Sequence, residues 1–73
     1  MLAGVSREKW SYRSYRVRVA GEDGYFVWIR REPDGWHAVV RDSLGDLVCF
    51  AGIWKTLRDA TAEGVAVLRR RGG

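Results

Sequence analysis

Arginine and the aromatic residues are the side chains of this sequence that could bind a ligand. The 73 residues include 4 Trp, 3 Tyr and 2 Phe, and eleven of the 13 basic residues are Arg. Aromatic rings can stack on nucleic-acid bases, and the planar guanidinium group can donate two hydrogen bonds to one phosphate. We expect seven residues to provide this chemistry: Arg16, Arg18, Trp28, Arg30, Trp36, Phe50 and Trp54.

Residues suited to catalysis or metal binding are scarce. The sequence has one Cys, Cys49, and one His, His37, which excludes an internal disulfide and offers at most two soft metal ligands. Cys49 alternates with Leu47 and Ala51, so we expect a small buried hydrophobic residue and not a reactive thiol. No Ser or Cys has a visible pair of His and acidic partners. The sequence predicts a protein that is not an enzyme and that has no cofactor or metal.

Positive charge is concentrated at the two ends of the chain. The formal net charge is +4. Residues 1–19 contain five basic residues and one acidic residue, and residues 64–73 contain three basic residues and no acidic one. The stretch between them is acidic on balance. This distribution indicates either a phosphate-binding surface or only an Arg-rich proteome, and composition alone does not separate the two.

The length of the chain indicates one small domain. At 73 residues a single core is only just sufficient, so we expect a partner subunit, most simply a homodimer. No apolar run approaches the roughly 20 residues of a membrane span, and the first residues lack the basic region and long apolar core of a secretory signal. We therefore expect a soluble, cytoplasmic protein with no membrane partner and no evident small-molecule substrate.

Three turn signals divide the middle of the chain, and each ends in glycine. They are Glu22-Asp23-Gly24, Pro33-Asp34-Gly35 and Ser43-Leu44-Gly45. Triplets of this kind favour three-residue hairpin loops, in which a type I turn is followed by a left-handed residue. They predict an antiparallel meander with strands at residues 14–20, 25–32, 36–42 and 46–54. Residues 1–13 are predicted to be a polar, flexible segment outside a domain that spans residues 14–73.

A helix is predicted over residues 57–71. The Thr56 hydroxyl is suited to cap its first turn. Apolar or small side chains recur every three or four residues, and three arginines stand where cations complement the helix dipole. The recurring positions are Leu57, Ala60, Thr61, Gly64, Val65 and Leu68. The predicted fold class is α+β, with four antiparallel strands followed by one helix packed on one face (ββββα).

The predicted turns also assign a face to each strand residue. Three-residue loops pair Gly21 with Tyr25, Glu32 with Trp36, and Asp42 with Asp46. The like charges of the last pair are unfavourable and make that register the least secure. The first face is mainly aliphatic and is expected to pack under the helix; it holds Tyr15, Val17, Val19, Val27, Ile29, Arg31, His37, Val39, Arg41, Leu47, Cys49, Ala51 and Ile53. The second face holds Arg16, Arg18, Phe26, Trp28, Arg30, Trp36, Ala38, Val40, Val48, Phe50 and Trp54.

The second face is too apolar to be left bare by a typical monomer. The sequence leaves three alternatives for what covers this face. A second copy could stack on it in a homodimer, a single nucleic-acid strand could lie on it, or the segment with Trp10 and Tyr12 could fold back over it. We expect a self-associating domain that binds single-stranded nucleic acid. Trp28, Trp36 and Phe50 would stack on bases, and the arginines would contact phosphates. The alternative is a protein–protein interaction or dimerisation module, antitoxin-like or regulatory, whose aromatic face is buried in the interface.

Parts of this layout resemble those of several protein families. Four strands followed by one helix over residues 14–71 resemble, in topology alone, the unit of the positive-cofactor transcriptional coactivators and, more loosely, the Whirly and Pur-alpha proteins. That resemblance implies dimers whose curved sheets hold single-stranded DNA. The segments Asp34-Gly35-Trp36-His37-Ala38 and Thr56-Leu57-Arg58-Asp59-Ala60 are similar to HicB-type antitoxins. The stretch 36–60 also resembles the arm-type DNA-binding domains of integrases.

Overall fold

Five strands precede a single helix in the computed structural model, which describes residues 4–72. All five pair antiparallel in chain order, so the sheet is a continuous meander. The elements are β1 (Val5–Ser11), β2 (Ser14–Val19), β3 (Tyr25–Glu32), β4 (Gly35–Asp42), β5 (Leu47–Trp54) and α1 (Leu57–Gly72). The fold is α+β, and its helix packs on one face of the sheet (βββββα).

The predicted count of four strands is wrong, because residues 5–11 form β1 along the edge of β2. The pairing runs from Val5 opposite Val19 to Ser11 opposite Ser14. Only Val5 is buried in this strand. Backbone pairing therefore holds most of β1 in place, and the sequence lacks the apolar alternation that would reveal a strand. The topology accordingly differs from the four-strand unit of the coactivators. Residues 1–3 of the predicted flexible segment lie outside the described residues.

The predicted helix is present and begins as its sequence indicates. The backbone N–H of Asp59 donates to the Thr56 hydroxyl at 3.0 Å, which caps the first turn. Gly64 lies so close to the sheet that a Cβ built on it would be 2.5 Å from the Val27 Cγ1 atom. The largest fully buried side chains come from the helix and the three central strands: Val17, Val27, Ile29, Val40, Val65 and Leu68.

The first hairpin shifts by two residues from the predicted register and keeps the predicted faces. Val17 pairs with Val27, where the three-residue loop would have set it opposite Ile29. Side chains alternate with a period of two, so this shift leaves each residue on its original face. β2 and β3 therefore present the predicted aliphatic residues to the helix.

The second hairpin shifts by one residue, which inverts β4. Glu32 pairs with Gly35, so the turn consists of Pro33 and Asp34 alone. Gly35 has φ +136°, and a Cβ there would lie 2.7 Å from the Trp54 carbonyl oxygen. The inversion sends Ala38 and Val40 under the helix, where both are fully buried. The predicted register would instead have set His37 and Arg41 there, at the desolvation cost of a buried polar group and a buried charge.

The third hairpin starts in the predicted register. The N–H of Asp42 donates to the carbonyl oxygen of Asp46 at 3.0 Å, and Gly45 has a positive φ of 88°. The Asp42 carboxylate accepts hydrogen bonds from the backbone N–H groups of Leu44 and Asp46, both at 3.0 Å. These bonds give the carboxylate a role in the turn and offset the unfavourable facing of two aspartates.

Candidate functional site

The candidate site is the face of the sheet that α1 leaves uncovered, here called the open face. On β2 and β3 it carries the residues that alternate with the buried valines and isoleucine. Four of the seven predicted site residues lie together there, namely Arg16, Arg18, Trp28 and Arg30. Trp28 stands directly opposite Arg16, and Ser14 stands opposite Arg30. Phe26 extends the same row toward the β2–β3 turn.

Trp36 and Trp54 are not on the open face. The one-residue shift of β4 turns Trp36 to the helix side, and Trp54 pairs with it across the sheet. Both rings are half-buried against the core. Trp36 also contacts the Tyr15 ring, with centroids 6.0 Å apart, and the Arg31 guanidinium lies 5.8 Å from its centroid. The predicted grouping of Trp36 and Trp54 with Trp28 is therefore wrong, and their contacts are those of core residues.

Phe50 does lie on the open face, because two departures from the predicted register cancel. β4 is inverted, and one extra β5 residue, Val48, lies in a bulge between the turn and the pair of Cys49 with Val40. A second extra residue, Ala51, follows Phe50. Phe50 remains opposite Val39 and is 56% exposed.

Several residues predicted for the helix side are on the open face for the same reasons. His37, Val39 and Arg41 turn over with β4, and Leu47 turns over with its partner Arg41. The two bulges of β5 together bring Ile53 opposite His37. Leu47 is 61% exposed and Ile53 is 45% exposed. Cys49 keeps its predicted place against the core, where it is half-buried.

Trp10 is a residue of the open face that the sequence did not reveal. It lies in β1, its ring meets the Trp28 ring edge to face at 5.9 Å, and the Arg16 guanidinium lies 5.0 Å from its centroid. The alternative in which this segment folds back over the sheet is not what the structure shows, because β1 joins the sheet edge beside β2. A large aromatic residue in an otherwise polar stretch was the available signal, and its meaning depended on recognising β1.

Two of the open-face arginines already have acidic partners. Arg16 pairs with Glu8 at 3.2 Å, and Arg30 pairs with Glu32 at 3.0 Å. Arg18 is exposed and makes no ion pair within residues 4–72. The Arg30 side chain is 59% exposed, and an exposed pair of this kind is worth only about 0–1 kcal/mol, so a phosphate can replace Glu32 at little loss. The Arg16 side chain is 22% exposed, so that value does not apply to its pair.

Two shallow clefts flank the turn between β1 and β2. One, of about 360 Å³, opens toward the open face and is lined by Ser11, Tyr12, Arg13, Ser14, Trp28 and Arg30. The other, of about 290 Å³, is lined by Tyr12, Arg13, Arg31, Glu32 and Pro33. The Arg13 guanidinium lies 5.1 Å from the Tyr12 ring centroid between them. This end of the sheet therefore combines cationic groups with exposed rings.

His37 is held by the second turn and by Phe50. Its Nε2 atom lies 2.6 Å from the Asp34 carboxylate, and its ring meets the Phe50 ring edge to face at 6.2 Å. The hydrogen bond from His37 lowers the pKa of Asp34 below its ordinary value of 3.8. Among the residues that the structure describes, no group of three or more His, Cys, Asp and Glu side chains is arranged to hold a metal ion.

Comparison of the chain with models of known protein families, with curated protein sequences and with solved structures gave no match. Within the described part of the chain, α1 is too short and too polar to cross a membrane.

Proposed function

We propose that the domain binds single-stranded nucleic acid on the half of the open face formed by β1, β2 and β3. The observation that carries the proposal is the contiguous group of Trp10, Trp28, Arg16, Arg18 and Arg30. Two indole rings and three arginines share one face that the helix leaves uncovered, and the Arg16 guanidinium lies 5.0 Å from the Trp10 centroid. This surface, defined by those five residues, is called the Trp–Arg surface below.

The exposure of these groups supports base stacking and phosphate contact at the same place. Trp10 is 55% exposed, the Arg30 side chain is 59% exposed and Arg18 is exposed, while Trp28 and Arg16 are half-buried beside them. Stacking of a base on an aromatic ring is worth roughly 1–3 kcal/mol, and it requires that the face of the base be free. The bases of a duplex are stacked on one another, so the surface suits a single strand better than a double helix. Phe50 lies farther along the open face, where a longer strand would reach it.

Neutralisation of phosphates by arginine sets the expected salt dependence. Three phosphate contacts to a single strand give a slope of about −2 in the logarithm of affinity against the logarithm of salt concentration. Between about 50 and 200 mM salt, affinity should therefore fall roughly 20-fold. A smaller slope would mean that Arg16 and Arg30 stay paired with Glu8 and Glu32 and do not contact phosphate.

Fluorescence anisotropy of labelled single-stranded DNA and RNA tests the proposal, with duplex DNA as the comparison. Arg18→Glu should weaken binding about tenfold or more at low salt. Arg58→Glu is the matched control, since Arg58 is exposed on the helix side of the molecule and its reversal changes net charge equally. Equal losses in the two variants, or no binding by the wild-type protein at low salt, would refute the proposal.

A protein-interaction module is the second candidate function. The exposure of Leu47, Phe50 and Ile53 on the open face favours it, because contiguous apolar surface of this kind marks contact sites. In this alternative a homodimer or another protein covers the whole open face, the Trp–Arg surface included. Sedimentation of Trp28→Ala should then show a lower mass than the wild-type protein, and oligonucleotide binding should be absent from both.

A further inference from the structure

The exposure of β5 repeats every three residues. Leu47, Phe50 and Ile53 are exposed, and the residues between them are half-buried. A regular strand would turn Phe50 to the face opposite Leu47 and Ile53, since its side chains alternate. The extra residues Val48 and Ala51 change this, because each bulge adds one residue and restores the outward direction at the third position.

The three side chains form a continuous row, called the apolar stripe below. Bulges on an edge strand discourage pairing with another strand, which accounts for an irregular β5. It does not account for Leu, Phe and Ile at the three positions that the bulges turn outward. Single exposed apolar residues are ordinary, but a contiguous row that also includes Val39 beside Phe50 is the kind of patch that marks contact sites in proteins.

We propose that the apolar stripe is the surface on which two copies of this chain associate face to face. A two-fold contact uses the same patch on both copies, and a row that is apolar along its whole length can pack against its own copy in this way. Their partners in β4, Arg41 and His37, are four residues apart, so the stripe spans about 13 Å. An antiparallel approach with Phe50 near the axis sets Leu47 of one copy against Ile53 of the partner subunit.

Charge explains why the copies meet on this half of the open face. Covering the Trp–Arg surface would desolvate Arg18 and the ion pairs that Arg16 and Arg30 make, which is unfavourable. Opposite the apolar stripe on β4 stand His37, held by Asp34, and Arg41, whose guanidinium donates to the Gly45 carbonyl oxygen at 2.8 Å. Association there covers two basic side chains that are already half-buried, whereas association on the Trp–Arg surface would cover the exposed Arg18 and Arg30.

A dimer formed on the apolar stripe leaves the Trp–Arg surface of each copy free. Its consequence for nucleic-acid binding rests on the proposed function. A two-fold axis at Phe50 gives the dimer two such surfaces. A strand long enough to reach both would bind more tightly than one that reaches a single copy, through the higher effective concentration of the second contact.

Sedimentation equilibrium from low to high micromolar protein concentration tests the proposal. Leu47→Glu and Ile53→Glu should each weaken dimerisation about tenfold or more, since each replaces an apolar contact made by both copies with a charge. Leu44→Glu is the matched control, because Leu44 is 86% exposed in the β4–β5 turn and outside the stripe. Circular dichroism and thermal melting should show that all three variants are folded.

The outcomes separate this proposal from the proposed function. A wild-type protein that is monomeric throughout, or an equal loss of mass in Leu44→Glu, would overturn the dimer. A monomeric Leu47→Glu protein that still binds a short oligonucleotide supports both proposals. Loss of dimer in Leu47→Glu, with no oligonucleotide binding by any protein including the wild type, supports the dimer and refutes nucleic-acid binding alone.

Discussion

Replacement of Gly64 by alanine has two effects of opposite sign on the free energy of unfolding. Glycine inside a helix costs about 1 kcal/mol relative to alanine, so propensity alone predicts that Gly64→Ala stabilises the protein. The new Cβ would lie 2.5 Å from the Val27 Cγ1 atom, about 1 Å closer than carbon atoms pack at their optimum. Val27 is fully buried and β-branched, so its side chain has little freedom to move away.

The packing effect should exceed the propensity effect. Overfilling a packed core costs typically about 1–3 kcal/mol, which leaves a net loss of roughly 1 kcal/mol in the free energy of unfolding. For a domain of this size that loss lowers the melting temperature by about 4–8 °C. Urea denaturation followed by tryptophan fluorescence and by far-ultraviolet circular dichroism measures the change.

Two comparisons show whether the contact with Val27 is the cause. Ala62→Gly, at an exposed position of the same helix, should lose about 1 kcal/mol by propensity alone and calibrates that effect. In a Val27→Ala background the clashing methyl group is absent, so Gly64→Ala should become stabilising. A stabilising Gly64→Ala in the wild-type background, or an unchanged loss in the Val27→Ala background, would refute the reasoning.

Three further predictions concern the helix side, the helix cap and the second turn. Trp36→Ala should lower the melting temperature and leave oligonucleotide affinity unchanged, whereas Trp28→Ala should lower affinity about tenfold; the reverse result in anisotropy would contradict the face assignment. Thr56→Ala should lower the free energy of unfolding by about 1 kcal/mol in urea titrations, and no loss would argue against the cap. Asp34 has a pKa below its ordinary value in the folded protein, so its bond to His37 stabilises above about pH 4 and is lost as pH falls through that lowered pKa. Asp34→Asn should melt earlier than the wild-type protein above pH 4, with the difference vanishing toward pH 2; a constant difference would exclude this linkage.

Much of the fold follows from local signals in the sequence. The glycine-ended turns located three hairpins, and Thr56 with the apolar periodicity of α1 located the helix. Counting from the first predicted turn assigned the faces of β2 and β3, and it placed Arg16, Arg18, Trp28 and Arg30 on one face. These features are local because turn geometry, capping and alternation each involve residues close in the chain.

Tertiary packing decided the rest of the open face. Loops of two and three residues are both common in hairpins. The turn at Pro33 has two residues because that register buries Ala38 and Val40 under α1. The unfavourable burial of His37 and Arg41 in the alternative register was a signal that the sequence contained.

The edges of the sheet depended on contacts that no local pattern reports. β1 has a single buried side chain and is held mainly by pairing with β2, so its place and that of Trp10 follow from a neighbouring strand. The bulges of β5 are defined only against β4. The sequence by itself thus determined the meander from β2 to β5, the helix, and the shared face of β2 and β3 that carries their arginines and Trp28. The tertiary structure alone decided which aromatic rings reach solvent, because a shift of one residue in pairing turns every side chain of a strand to the other face.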